Sequence, residues 1–307
     1  MSSTAARYRA IINPAAGGGR CGRRYEALRH KIVDRLESEH RTSRPGHATE
    51  LAREAVDGGI RHLLAVGGDG TVLEVLNGAL RRSPAETPCV LSVLPLGTGN
   101  SLVRHFTPQG RRPVESAVEA LLDERRTRSD VLVVRHVERG AVRSKLALSS
   151  VTFGLPTRVA DVVNRRLKFF GIFGYSVSVV IELVRLLHET YDGTSEPLGE
   201  VPRSSWMLCC QNTATVGGAM RLAPEADMAD GLFELVWGER SSRMSLIHAF
   251  PRIFRGTHVD HPAFKLRQVK RYSFERPMAR KVMLDGEVEE LTVRSVSVLG
   301  GAVELAL

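Results

Sequence analysis

Residues 65–75 read AVGGDGTVLEV: an apolar run stops at Gly67, turns through Gly68, Asp69 and Gly70, and resumes with the apolar spacing of a helix. The preceding RHLLAV (61–66) has the length and apolarity of a buried strand, and TVLEVLNGALRR (71–82) reads as a helix, with Thr71 and Glu74 at capping-box spacing. The same grammar recurs on both sides. RYRAIINPAAGGG is a strand entering a glycine-rich loop, and CVLSVLPLG runs into the helix start TGNSLVRHF. RRYEALRHKIVDRLESEH reads as one helix, and HATELAREAVDGG as a second, closed by Gly58 and Gly59. Strand, glycine turn and helix in repetition predict an α/β domain with a parallel sheet.

From about residue 129 the pattern changes. SDVLVVRHV, VRSKLALSSVTF, SSWMLCCQN, GLFELVWG, FKLRQVKRYSFE, ARKVMLDGEVEEL and VRSVSVLGGAVELAL are strand-like runs separated by turns. They predict a mainly antiparallel β domain, interrupted once by a helical insertion from about Arg165 to His188. The expected division is residues 1–128 and 129–307.

Composition narrows the function classes. The 307 residues are 43% hydrophobic, enough for more than a small binding module. No stretch reaches the length of a spanning helix, and MSSTAARYRA lacks the apolar core of a secretory signal, so a cytoplasmic protein is expected. Cys21, Cys89, Cys209 and Cys210 follow no metal or disulfide spacing. His258 and His261 form an HxxH without further ligands nearby, and read as exposed histidines. The net charge of +9 favours a polyanionic partner. Nucleic acid is disfavoured, because the basic residues are dispersed and no aromatic-interleaved basic stripe occurs.

In an open parallel sheet, ligands bind beyond the carboxyl ends of the strands, where backbone amides and helix N-termini attract phosphate. Asn13–Gly19 (NPAAGGG), Gly67–Thr71 (GGDGT) and Pro95–Asn100 (PLGTGN) all fall at such ends, and together they point to phosphate binding. There is no GxxxxGK[ST]. Gly17, Gly19 and Gly22 satisfy GxGxxG, but the following segment reads as helical, with Asp34 in its middle, where a second strand should carry the ribose-binding acid.

These loops, together with Gln211–Asn212 and Gly217–Gly218, APEADMADGL from Ala223, and DGE at 285–287, resemble the soluble diacylglycerol kinase and sphingosine kinase family of lipid kinases. GGDGT alone is shared with NAD kinases; the later motifs narrow the likeness. The resemblance implies a nucleotide-binding first domain, a β-rich lipid-substrate domain and catalysis between them. It implies an ATP site at Asn13, Pro14, Ala15, Ala16, Gly17, Thr42, Gly67, Gly68, Asp69, Gly70, Thr71, Glu74 and Thr98. It also implies Mg2+, a catalytic set of Asp285, Glu287 and Asp69, and a structural magnesium loop formed by Asp227, Asp230 and Leu232. Leu73 and Ser101 depart from the family pattern, which often has Asn and an acidic residue there.

By local physics Asp285–Gly286 is an ordinary hairpin signal, and Asp69 an ordinary turn stabiliser. The resemblance makes Asp285 and Glu287 a base pair, one accepting the proton and the other positioning it, and puts Asp69 near magnesium or the phosphoryl group. The most lipid-like passage is RRLKFFGIFGYSVSVVIELV from Arg165, where Arg165, Arg166 and Lys168 precede Phe169, Phe170 and Phe173. An ATP-dependent lipid kinase is therefore expected, with a diacylglycerol-like acceptor, peripheral contact with an anionic membrane and room for a homodimer. The alternatives are an NAD kinase-like enzyme and a non-catalytic nucleotide- or lipid-binding regulator.

Overall fold

A computed structural model describes residues 6–80, 89–107, 110–163, 181–182, 185, 187–197, 199, 201–216 and 220–307. The chain forms two compact units, Met1–Asp130 with Gly301–Leu307, and Val131–Gly300.

The first unit is the expected parallel α/β domain. Strands β1 (Tyr8–Ile12), β2 (Leu36–Arg41), β3 (His62–Gly67) and β4 (Cys89–Pro95) alternate with helices α1 (Cys21–Arg29), α2 (His47–Asp57), α3 (Asp69–Ala79) and α4 (Ser101–Phe106). Helix α5 (Pro113–Leu122) follows. The sheet runs β4-β3-β1-β2 and every pairing is parallel. Both faces need cover, so β3 and β4 are almost continuously apolar and buried. Tyr8, Ile12, Leu64, Val66 and Leu94 pack with Cys21 and Tyr25 of α1 in one apolar cluster.

One helix is shorter than its sequence predicts. The segment from Arg23 to His40 is helical only to Arg29; after a short turn at Val33–Arg35, Leu36–Arg41 is strand β2, parallel to β1. Its exposed, charged sequence hides an edge strand, because one flank and one face carry no apolar requirement. Asp34 lies in the turn ahead of β2, so the helical premise used against a dinucleotide reading does not hold. Helix α3 also begins at Asp69, two residues before the expected start, with Gly68 as an N-cap that supplies no side chain.

The second unit is the expected antiparallel domain. Its strands include β5 (Thr127–Glu138), β6 (Ala141–Ala147), β7 (Ser150–Gly154), β8 (Gly193–Glu196), β9 (Met207–Gln211), β10 (Phe233–Gly238), β11 (Phe264–Val269), β12 (Arg271–Phe274), β13 (Ala279–Leu284) and β14 (Glu287–Ala306). The main path is β11-β10-β9-β7-β13-β14. Beyond Gly300 the last strand leaves this unit, and Val303–Ala306 pair in parallel with β4, so the final residues complete the first unit's sheet rather than the β domain.

The β domain is interrupted more than once. Helix α6 (Leu155–Val162) follows β7, and helix α7 (Arg243–Ile253) follows β10. Most of the insertion expected at Arg165–His188, including its basic-aromatic front, lies outside the described residues. The HxxH histidines are packed rather than exposed. His258 is fully buried against Phe264 and shares a hydrogen bond with the Leu222 carbonyl, while His261 shares one with the Ser245 hydroxyl. No helix among the described residues is long and apolar enough to cross a membrane.

Candidate functional site

The three glycine-rich loops of the first unit are laced together. The Asn13 amide nitrogen donates to Thr71 Oγ1 at 3.0 Å, and Asn13 Oδ1 accepts the Ala15 amide at 3.1 Å, joining the first loop to the second. The amides of Leu96 and Gly97 both donate to the Gly67 carbonyl at 2.8 Å, joining the second to the third. Asn100, in a left-handed conformation, closes the third loop by donating to the carbonyls of Pro95 and Gly97.

Glycine is required where these loops touch. A Cβ on Gly97 would sit 2.3 Å from the Gly68 Cα, and one on Gly17 would sit 2.6 Å from the Leu96 carbonyl oxygen. Gly17, Gly18 and Gly19 all have positive φ, and the space around Gly18 and Gly19 is open. The result is a surface of backbone beside the N-terminus of α3, which no side chain caps.

The two carboxylates of this region act as loop anchors. Asp69 is half-buried and accepts the amides of Ser101 (3.0 Å) and Leu102 (3.4 Å), capping α4. Burial pushes its carboxyl above the usual range, while the amides of Ser101, Leu102 and Asn100 and the Ser101 hydroxyl pull the other way. This explains the departure at Ser101: its amide and hydroxyl both face Asp69, where an acidic side chain would meet like charge.

Glu74 does not close a capping box with Thr71. Its carboxylate accepts the amides of Gly46 (3.0 Å) and Ala48 (3.2 Å) at the start of α2, and Thr71 is buried against Asn13. Leu73 is likewise buried, so packing replaces the polar contact that asparagine would make there. Thr42 is tied by its amide to the Ile12 carbonyl at 2.8 Å, at the end of β2, and Thr98 is exposed on the third loop.

In the second unit Asp285 and Gly286 form a two-residue hairpin between β13 and β14, with Leu284 opposite Glu287. Both hairpin residues have positive φ, as the tight primed turn requires. The Asp285 carboxylate then does more than make a turn. Oδ2 accepts the Leu148 amide at 2.7 Å, and Oδ1 accepts the amides of Ser149 (2.8 Å) and Ser150 (2.9 Å). Asn212 braces the same loop, donating from its side chain to the Leu148 carbonyl and from its amide to the Ser149 carbonyl. Gln211 beside it is fully buried, whereas Glu287 is exposed. Gly217 and Gly218 lie outside the described residues.

An apolar pocket opens on one face of the second unit's sheet. It is walled by α6 (Leu155, Val159), by Trp206 and Met207, and by α7 (Leu246, Phe250, Ile253), around a cavity of about 40 Å³. Met283 of β13 packs in the same apolar cluster, and Asp285 follows two residues later, in the turn that ends the strand. The strand that carries Met283 thus ends in the Asp285–Gly286 turn. Sequence reading missed the pocket, because α6 and α7 are short and each carries a proline.

The ADMADGL loop is an oxygen-rich turn. Asp227 Oδ1 accepts the Ala229 amide at 2.9 Å, Asp230 Oδ1 accepts the Leu232 amide at 2.8 Å, and the Gln268 amide lies 3.5 Å from Asp230 Oδ2. Leu232 thus contacts Asp230 through its N–H. Glu234 nearby is buried; burial raises its carboxyl, a hydrogen bond from Gln268 opposes this, and the charges of Asp230 and Glu225 add to it. Among the described residues no three acidic, histidine or cysteine groups gather in one cluster.

Two family models match the chain in succession. Residues 7–134 match the diacylglycerol kinase catalytic domain, and residues 149–307 match the YegS C-terminal NAD kinase beta sandwich-like domain. A diacylglycerol kinase of Mycobacterium tuberculosis (strain CDC 1551 / Oshkosh) is 27% identical over 91% of this chain and 87% of its own. One of Bacillus subtilis (strain 168) is 26% identical over 92% of this chain and 89% of its own. A crystal structure of a diacylglycerol kinase from Bacillus anthracis str. Sterne superposes over 100% of this chain and 98% of its own, with a TM-score of 0.73 at 19% identity, which speaks for the fold. The chain belongs to the soluble diacylglycerol kinase family of lipid kinases, built from a diacylglycerol kinase catalytic domain followed by a YegS C-terminal domain.

Proposed function

We propose that this protein is an ATP-dependent kinase that phosphorylates the hydroxyl of a diacylglycerol-like lipid. The observation that carries the reading is the apolar pocket whose sheet face ends, two residues past Met283, in the Asp285–Glu287 hairpin. An apolar tail with a hydroxyl at its head fits such a face, whereas the polar nucleotide of an NAD kinase does not. The names of the curated relatives support the same acceptor class.

The laced loops fit a nucleotide. Asn13, Pro14, Ala15, Ala16, Gly17, Gly68 and Gly70 offer backbone and small side chains where phosphate needs close approach, Gly67 and Thr71 lie buried beneath them, and Thr42 and Thr98 flank them. Glu74 and Asp69 act on this surface from behind, holding the starts of α2 and α4. The oxygen donors of the Asp227–Leu232 loop, and the negative surroundings that help keep the Glu234 carboxyl raised, fit a hard divalent cation. Asp230 and the carbonyls of Asp227 and Leu232 would hold it. ATP supplies the transferable γ-phosphoryl group when bound, and magnesium the charge that offsets the phosphates.

Glu287 is the proton acceptor in this reading, because it is exposed at the hairpin end and, among the described residues, its carboxylate forms no ion pair. It takes the proton of the lipid hydroxyl as that oxygen bonds to phosphorus and ADP departs. Asp285 is the positioning residue: its three amide bonds fix the hairpin against the 148–150 loop. The test is incubation with labelled ATP and a panel of dispersed diacylglycerol, sphingoid base, ceramide, phosphatidylglycerol and free NAD. Label is expected on diacylglycerol, and label on NAD alone, or on none of them, would overturn the reading.

A further inference from the structure

We propose that helix α7 is the membrane-docking element of this protein, seating its outer face in the interface of an anionic bilayer while its inner face walls the apolar pocket. The proposal rests on the lipid kinase reading only for what the pocket holds; the docking face stands on its own geometry.

Helix α7 is apolar on two sides. Leu246, Ala249 and Ile253 are buried, and Leu246, Phe250 and Ile253 line the pocket. At 100° per residue, Met244, Ile247, Pro251 and Phe254 fall together on the adjoining face, in one stripe about 80° wide. Three of them are large and exposed to water: Met244 at 61%, Ile247 at 40% and Phe254 at 41%. A stripe of this kind on a helix already fixed by its other face has no folding role left to play, since the core contacts are made elsewhere.

The charge around the stripe names the occupant. Arg243 and Arg255 border it on either side, Arg240 precedes the helix and Arg252 lies on its last turn. Arg221 is beside the helix end, its amide donating to the Ile253 carbonyl at 3.0 Å. No Asp or Glu occurs from Arg240 to Val259, and none of these five arginines forms an ion pair with the described residues. Exposed apolar residues inside a cationic rim match the layering of an anionic bilayer, with headgroups outside and acyl chains beneath. A protein partner would need acidic residues around an apolar ridge, and a second copy of this face would set arginine against arginine.

The two faces are joined through aromatic contact. Phe254 of the outer stripe meets Phe250 of the pocket wall edge to face, with ring centroids 5.6 Å apart. An acyl chain entering beside α7 would therefore pass from bilayer to pocket along continuous apolar surface. The docking face and the acceptor pocket share one helix wall.

The test uses the full chain and two double variants, Met244→Glu with Ile247→Glu, and Arg243→Gln with Arg255→Gln, all at exposed positions. Co-sedimentation is measured with phosphatidylcholine vesicles with and without phosphatidylglycerol, across a salt series. Wild type is expected on the phosphatidylglycerol vesicles, and each double variant should bind them at least about tenfold more weakly, the arginine variant with a shallower salt dependence. Activity on a short-chain diacylglycerol dispersed as monomers should be unchanged in both, while activity on vesicle-borne diacylglycerol falls with binding. Vesicle binding that survives both substitutions would overturn the proposal, as would a wild-type dimer that the Met244→Glu, Ile247→Glu variant converts to monomer. Loss of the kinase reading would appear separately, as no turnover of the short-chain lipid by wild type.

Discussion

Asp69 and Asp285 are each followed by glycine, and each commits its carboxylate to backbone amides, yet their surroundings end in opposite chemistry. Around Asp69 the tethered amides belong to α4, and the surface left facing solvent is glycine backbone from three loops. Around Asp285 the tethered amides belong to the 148–150 loop, and the group left facing solvent is the Glu287 carboxylate. The difference teaches that the carboxylate most conspicuous in a motif can be spent on holding backbone. In both places the aspartate orders its neighbours, and in the proposed function it is those neighbours that meet the ligand.

The sharpest way to break this comparison is to exchange roles in the hairpin. Glu287→Gln removes a proton acceptor without touching the amide bonds, and kcat should fall by about 10²- to 10⁴-fold with the KM for ATP retained. Asp285→Asn should lose kcat comparably by a different route, since an amide side chain turns an N–H toward a backbone N–H and loosens the loop. The double variant should be little worse than the poorer single one, because effects within one unit do not add. Steady-state kinetics decide it: near-normal kcat in both Glu287→Gln and Asp285→Asn would return the hairpin to a plain turn and send the search for the base back to Asp69.

In the first unit the equivalent damage is to backbone. Gly97→Ala places a methyl where the Gly68 Cα stands 2.3 Å away, so the second and third loops must part. A displacement near 1 Å is expected to lower kcat/KM for ATP by about 10²-fold. Gly68→Val meets the Gly97 Cα at 3.2 Å with its Cβ and should cost less through that atom. Equal effects at both positions would mean that the loops do not act through their mutual contact.

How much of this was readable beforehand follows from where the information lies. The parallel sheet was legible, because β3 and β4 are buried on both sides and must be apolar throughout. Strand β2 was not, because Leu36–Arg41 lies at an edge and carries four ionisable residues that mimic a solvated helix. The glycine loops announced a phosphate surface, but their lacing through Asn13 and Asn100 depends on contacts between distant segments. Asp285 showed only its local turn; its three amide partners lie more than a hundred residues earlier. Helix α7 was hidden by its double-sided apolarity, which lacks the single polar face that marks a surface helix.

The apolar pocket supplies a smaller effect. Phe250→Ala enlarges the wall between α7 and α6, so kcat/KM for long-chain acceptors should fall by about tenfold relative to short-chain ones. Measuring a series of acyl lengths checks it. An identical loss at every length would mean that Phe250 supports the fold rather than the chain.

The smallest expected effect returns to Asp69 and asks whether burial or its amide partners dominate. Asp69→Asn keeps one acceptor oxygen and should cost the first unit about 1 kcal/mol, the worth of one hydrogen bond. The pH dependence carries the sign. Burial raises the folded-state value of this carboxyl above the unfolded one, so the folded protein holds the proton more tightly. Its contribution to stability is therefore fully present below the unfolded value of 3.8 and is lost as pH rises through the raised folded-state value. The stability gap between wild type and Asp69→Asn should narrow from acid toward neutral pH, measured by urea unfolding without added divalent cation. A gap that widens as the pH rises would show the amides of Ser101 and Leu102 outweighing burial.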